Sequence, residues 1–249
     1  MIGSKVNRSF FNSKCVFMPL FTPIFIPGLL CTDFLFAKQR ATLSNAGLIG
    51  DTRQHDSISE MAEVALDQCT GALVPVGLSM GGYVALEMAR LAPERIAGMA
   101  LLSTNAGVDS DERAEQRRQA IKLAKHKGFK GITRSFLSQL ISTTARGDAV
   151  LADHILAMAR DVGRVGFVRQ QTAILGRRDQ KDTLANFCSP LLVLCGTADV
   201  LTPPKLSIDM ADLAQDVTLK LLDGIGHLSS LEAPGAVTSA LHDLFCRIE

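Results

Sequence analysis

Gly77-Leu78-Ser79-Met80-Gly81 is a GxSxG, followed by Gly82. The apolar run ALVPV precedes it and a helical pattern follows, so the serine falls at a strand–turn–helix junction. So tight a turn leaves no room for side chains at Gly77 and Gly81 and holds the serine in a strained conformation. Its hydroxyl is thereby presented at a helix N-terminus, whose free N–H groups favour developing negative charge. Ser79 is the candidate nucleophile for acyl transfer.

A serine hydroxyl attacks poorly until a base takes its proton. The chain has five histidines: His55, His126, His154, His227 and His242. His227, in GIGHLSSLEAP, lies after the last expected strand and before the C-terminal helix, where a loop can bring a base to Ser79. His126 and His154 fall in a helical region and His242 on the final helix, places that suit packing or surface roles; His55 follows an early strand. Asp199, in CGTADVLTPP, directly follows an apolar strand and precedes His227 by 28 residues. A carboxylate there would fix the imidazole tautomer and stabilise the imidazolium. Asp223 is the rival, and a turn role is the alternative for Asp199. An oxyanion hole needs two backbone N–H groups. The expected donors are Met80, after the nucleophile, and Leu29, in the Pro27-Gly28-Leu29-Leu30 loop.

These loops need a sheet to hold them. Short apolar runs at 23–28, 46–51, 72–77, 99–104, 191–196 and 217–223 alternate with helical patterns, which implies βαβ units around a mostly parallel sheet flanked by helices. Ser57-x-x-Glu60 is a capping box opening a helix toward Gln68. A further helix follows Ser79, and an amphipathic one runs from Pro234 to Cys246, with Val237, Leu241, Leu244 and Phe245 on one face. From about 108 to 184 there is only helical pattern, too much for a simple crossover. It is expected to be a helical cap on a core formed by 1–107 and 185–249, the whole being a single domain. A separate helical unit with no part in the site is the alternative.

Composition narrows the function classes. A net charge of +1 and an aromatic content of 5% argue against nucleic acid as partner. The six cysteines are scattered without metal-ligand spacing, so reduced thiols and no metal are expected. The apolar stretch from Cys15 to Cys31 holds Pro19, Pro23 and Pro27, which disfavour a membrane helix. A soluble, cytoplasmic protein is the expectation.

Taken together, FIPGLLC (25–31), GLSMGGYVALEMARLAPERIAGMALLSTNA (77–106), CGTADVLTPP (195–204) and GIGHLSSLEAP (224–234) resemble the α/β-hydrolase superfamily, in its small bacterial branch with a helical cap. The resemblance spans about 22–246 and implies a Ser–His–Asp hydrolase with no cofactor, in the family's Ser, Asp, His order. Pro27-Gly28 stands where His-Gly is common, and the N-terminal hairpin of larger members is hard to see in 1–20. A carboxylic ester, thioester or lactone is the expected small-molecule substrate. The pocket should be largely apolar, lined by Gly28, Leu29, Leu30, Phe34, Phe36 and the cap. The basic run Arg113, Arg117, Arg118, Lys122, Lys125, Lys127, Lys130 and Arg134 reads as a solvated helix face. Its alternative is a docking patch for an acidic acyl carrier, resembling the esterases that demethylate pimeloyl-carrier esters. A C–C bond hydrolase and a non-catalytic small-molecule receptor on the same fold remain as further alternatives.

Overall fold

The computed structural model describes residues 20–126 and 131–248. Along the chain run β1 (Thr22–Ile26), α1 (Ala37–Thr42), β2 (Leu48–Ile49), α2 (Ile58–Asp67), β3 (Leu73–Leu78), α3 (Met80–Leu91), β4 (Met99–Leu102), α4 (Asp111–His126), α5 (Arg134–Leu140), α6 (Ala149–Leu175), α7 (Lys181–Ala185), β5 (Leu191–Gly196), α8 (Pro204–Leu213), β6 (Val217–Leu222), α9 (Ser229–Glu232) and α10 (Pro234–Cys246). Every expected strand forms. The six join in one sheet in the order β2-β1-β3-β4-β5-β6, and every pairing is parallel.

A parallel sheet covered on both faces calls for continuous apolar strands, and these strands supply them. Ile24 and Ile26 point to one face with Leu191 and Val193, packing against Met61 and Leu66 of α2 and Leu86 of α3. Phe25, Leu192 and Leu194 point to the other, against Val237, Leu241 and Leu244 of α10. Each such side chain fully buried stabilises the fold by roughly 1.5–3 kcal/mol. The Ser57 hydroxyl oxygen accepts from the Glu60 N–H and opens α2, one half of the expected capping box, while the Glu60 carboxylate meets His55 instead. On α3, buried Glu87 accepts from Arg90 at 2.7 and 2.9 Å and from Ser59 and Gln180, tying α3 to α2 and to the approach of α7.

Residues 1–19, where an N-terminal hairpin would lie, fall outside the described residues. Between β4 and β5 the described residues form helices and turns but no strand. α6 is broken at Gly163, whose φ of 64° interrupts the helical path. Among the described residues no helix is long and apolar enough to cross a membrane.

Strand order decides where a site can form. From β1 the chain steps outward to β2, then returns past β1 to β3. The carboxyl ends of the adjacent β1 and β3 therefore send their loops in opposite directions and leave a crevice between them. The loop after β1 begins at Pro27-Gly28, and the turn after β3 is Ser79.

Candidate active site

Ser79 has φ 57° and ψ −116°, a strained conformation for a residue with a Cβ. Neighbouring strands hold it there. Its N–H donates to the Leu102 carbonyl at 2.9 Å, and its own carbonyl accepts from the Thr104 hydroxyl at 2.7 Å. The two motif glycines are required by contact: a Cβ at Gly77 would lie 2.2 Å from the Gly81 carbonyl oxygen, and one at Gly81 only 1.9 Å from that of Ile26. Loop after β1, turn after β3 and end of β4 are thus locked together.

Asp199 and His227 come from the loops after β5 and β6 and are both buried. His227 Nδ1 lies 2.9 Å from Asp199 Oδ2. The other carboxylate oxygen accepts from the N–H groups of Leu201 and Thr202, each at 2.9 Å. The Thr202 hydroxyl donates to Oδ2 at 2.6 Å and sits 3.2 Å from the imidazole Nδ1. Burial is the largest influence on Asp199 and raises its pKa. The charge of His227 and the hydrogen bonds from His227 and Thr202 outweigh burial and hold the carboxyl below its ordinary value. Asp199 is therefore a carboxylate, placed to accept a hydrogen bond from the Nδ1–H of His227.

Ser79, His227, Gly28 and Leu29 line one cavity of about 540 Å³. Among the described residues, the N–H groups of Leu29 and Met80 have no acceptor in the protein. Met80 N–H is one of the orphan donors at the start of α3. The next residue along the loop, Leu30, adopts φ 60° and donates its N–H to the Oε1 of buried Gln170 on α6 at 3.0 Å. Gln170 in turn donates to the Thr52 hydroxyl at 3.3 Å. Cys31 also lines the cavity, but burial pushes its thiol up to about 12, so it supplies no thiolate near neutral pH. Cys195, behind Asp199, is likewise pushed up to about 12, by burial and then by the Asp199 charge.

The other candidates are placed elsewhere. His55 meets Glu60 at 3.3 Å, His154 stacks on Phe34 with centroids 4.5 Å apart, and His242 lies beside Cys246. Exposed Asp223 accepts from the Thr197 hydroxyl. Of the expected pocket lining, Gly28 and Leu29 face the cavity, whereas Leu30, Phe34 and Phe36 do not. Leu30 is buried in the core, Phe36 packs on Phe25 at 5.3 Å, and Phe34 lies half-exposed on His154.

The cavity is more polar than expected. α4 turns Glu112, Arg113, Gln116 and Arg117 to it, and Gln139 and Gln171 join them. Arg113 and Arg117 therefore leave the basic face, on which Arg118, Lys122, Lys125 and Arg134 stay exposed. Lys127 and Lys130 lie outside the described residues.

Residues 51–233 match the serine aminopeptidase S33 family, Hydrolase_4. The chain belongs to that family. This S33-family chain has the α/β-hydrolase fold. It is 25% identical over 233 residues to BpoC of Mycobacterium tuberculosis, a protein named as a non-heme bromoperoxidase, covering 87% of this chain and 86% of that one. It is 27% identical over 199 residues to the pimeloyl-[acyl-carrier protein] methyl ester esterase of Photobacterium profundum, covering 76% of each. Among solved structures, a thermophilic esterase from Thermogutta terrifontis superposes with a TM-score of 0.85 at 26% identity, covering 92% of this chain and 90% of that one.

Proposed function

We propose that this protein hydrolyses a carboxylic ester, thioester or lactone through an acyl-enzyme on Ser79. The observation that carries the reading is the buried Asp199–His227 hydrogen-bonded pair, whose His227 lines one cavity with Ser79. His227 Nε2 takes the Ser79 proton as Oγ attacks the substrate carbonyl carbon, and Asp199 stabilises the imidazolium. The carbonyl oxygen becomes an oxyanion that accepts from the N–H groups of Leu29 and Met80. His227 then returns the proton to the leaving oxygen or sulfur as the bond to the acyl carbon breaks. Water, deprotonated by the same imidazole, attacks the acyl-enzyme and releases the acid. Residues 108–184 act as a cap over this chemistry, because α4, α5 and α6 all contribute to the cavity wall. A cytoplasmic setting suits the free cysteines, two of which, Cys188 and Cys246, are exposed.

The test is intact-mass analysis after incubation with a fluorophosphonate, on wild type, Ser79→Ala and His227→Ala. A single adduct on wild type, absent from both variants, is expected. An unlabelled but folded wild-type protein that also turns over no ester, thioester or lactone would overturn the reading.

A narrower reading, a carrier-protein methyl ester esterase of the pimeloyl type, is favoured by the similarity to the Photobacterium profundum enzyme. The exposed Arg118, Lys122 and Lys125 of α4 would then meet the acidic carrier. Charge reversal at these three residues should slow a carrier-bound methyl ester while sparing small esters. Equal rates on the carrier-bound ester would end that reading.

A further inference from the structure

The cavity holds a group of residues that the acyl-transfer chemistry leaves unused. Asp109, just before α4, has a largely covered side chain surrounded by three guanidinium groups. Arg117 Nε lies 2.6 Å from its Oδ2, Arg177 Nη2 3.0 Å from its Oδ1, and Arg113 Nε 3.9 Å from the same Oδ1. Arg177 is buried away from the cavity, over the Tyr83 ring, and Asp109 is the only carboxylate with which it forms an ion pair among the described residues. Arg113 and Arg117 line the cavity itself. Arg113 Nη1 is spent on the Leu201 carbonyl and Arg117 Nη1 on the Gln171 side chain. The Nη2 groups of both have no partner among the described residues. Among the described residues the only acid lining the cavity is exposed Glu112, and it forms no ion pair. Even with Glu112 counted, one positive charge remains uncompensated. Two free Nη2 groups beside a cavity with a surplus positive charge suit a planar anion, since a carboxylate can accept one N–H from each.

We propose that Arg113 and Arg117 bind a carboxylate of the substrate, so that the compound cleaved is an acid-bearing ester or thioester, such as a half-ester of a dicarboxylic acid. The assignment rests on the acyl-transfer reading and narrows it to a substrate class. Arg113 and Arg117 orient the substrate by its charged end while Ser79 attacks the other. The exposed face of α4 plays no part in this recognition.

The first measurement compares the mono-4-nitrophenyl ester of adipic acid with the matching ester ending in a primary amide, for wild type, Arg113→Gln, Arg117→Gln and Arg118→Gln. The readout is the acid-to-amide ratio of kcat/KM. A wild-type ratio of about ten or more is expected, as one charge-assisted pair would give. It should fall toward one in Arg113→Gln and Arg117→Gln and persist in Arg118→Gln. A wild-type ratio of one or below, or a ratio retained in both cavity variants, overturns the proposal. The second measurement needs no chemistry: calorimetric titration of adipate and adipamide into Ser79→Ala. Tighter binding of adipate, weakened by Arg113→Gln, supports the site; equal binding or none overturns it. The two failures are distinguishable. A protein labelled at Ser79 that ignores the carboxylate keeps its hydrolase reading and loses the anion site. A protein that fluorophosphonate does not label but that binds adipate through Arg113 does the reverse.

Discussion

Gln170 Oε1 accepts the Leu30 backbone N–H at 3.0 Å, a bond that joins residues 140 apart in the chain. It fixes a left-handed leucine immediately after the proposed oxyanion donor Leu29, and it does so from a helix of the segment between β4 and β5. Aim of the Leu29 N–H thus depends on a side chain that never meets the substrate carbonyl. Replacing Gln170 with Met removes the acceptor at nearly constant volume and should let the loop relax. A drop in kcat of about tenfold to a hundredfold is expected, with KM little changed, because a misplacement of about 1 Å is enough. Gln170→Glu keeps an acceptor and should restore part of the loss. Steady-state kinetics on a small activated ester check both.

Asp199→Asn preserves shape but offers an amide where the imidazole Nδ1–H needs an acceptor. A loss of about 10⁴-fold in kcat is expected at neutral pH. Stability has its own signature. The Asp199 carboxyl is held below its ordinary value near 3.8, so its contribution is complete above that pH and is lost as pH falls through the lowered value. Asp109 and Glu87 are held low in the same sense, after burial, by Arg177 and Arg117 and by Arg90. Urea midpoints should therefore hold down to about pH 5 and decline below it. Asp199→Asn should show a shallower decline.

The Thr202 hydroxyl donates a hydrogen bond to Asp199 Oδ2 at 2.6 Å, beside the imidazole. Thr202→Val deletes this donor to a buried carboxylate and should lower kcat about tenfold. An unchanged rate in a folded variant would mean that the two N–H donors of the loop suffice.

Two glycines should respond to alanine in opposite directions. At Gly81 the new Cβ meets the Ile26 carbonyl, which belongs to a central strand and cannot move away. A loss of about 3 kcal/mol or more, or insoluble protein, is expected. At Gly235, in the first turn of α10, nothing lies within 4 Å of the added atom. There alanine should stabilise by about 0.5–1 kcal/mol, by restricting the unfolded chain. Thermal melts of the two variants provide the comparison.

The sheet was legible because each strand is a short apolar run bounded by turn residues, a local signal. Ser79, Asp199 and His227 were legible because each directly follows a strand or sits in a glycine-rich loop. The cavity wall was not. Arg117 reads as one of a run of surface cations, and only the approach of Asp109 and Gln171 in three dimensions turns it inward. Phe34 and Phe36 read as pocket aromatics from their closeness to Gly28. A short helical turn at Asp33–Phe36 instead sends Phe36 into the core and Phe34 toward His154. Gln170 carries no sequence signal of its own; a buried glutamine in a helix is found only by what it touches.

On α6, Gln170 and Gln171 are consecutive yet serve different partners, the first the Leu30 loop, the second Arg117 and the cavity. Anyone recasting this protein for a new substrate by exchanging its helical segment would carry away a strut of the proposed oxyanion loop together with the proposed anion site. A graft that keeps Gln170 in register, and varies Gln171 and the facing turn of α4, is the exchange in which turnover should survive.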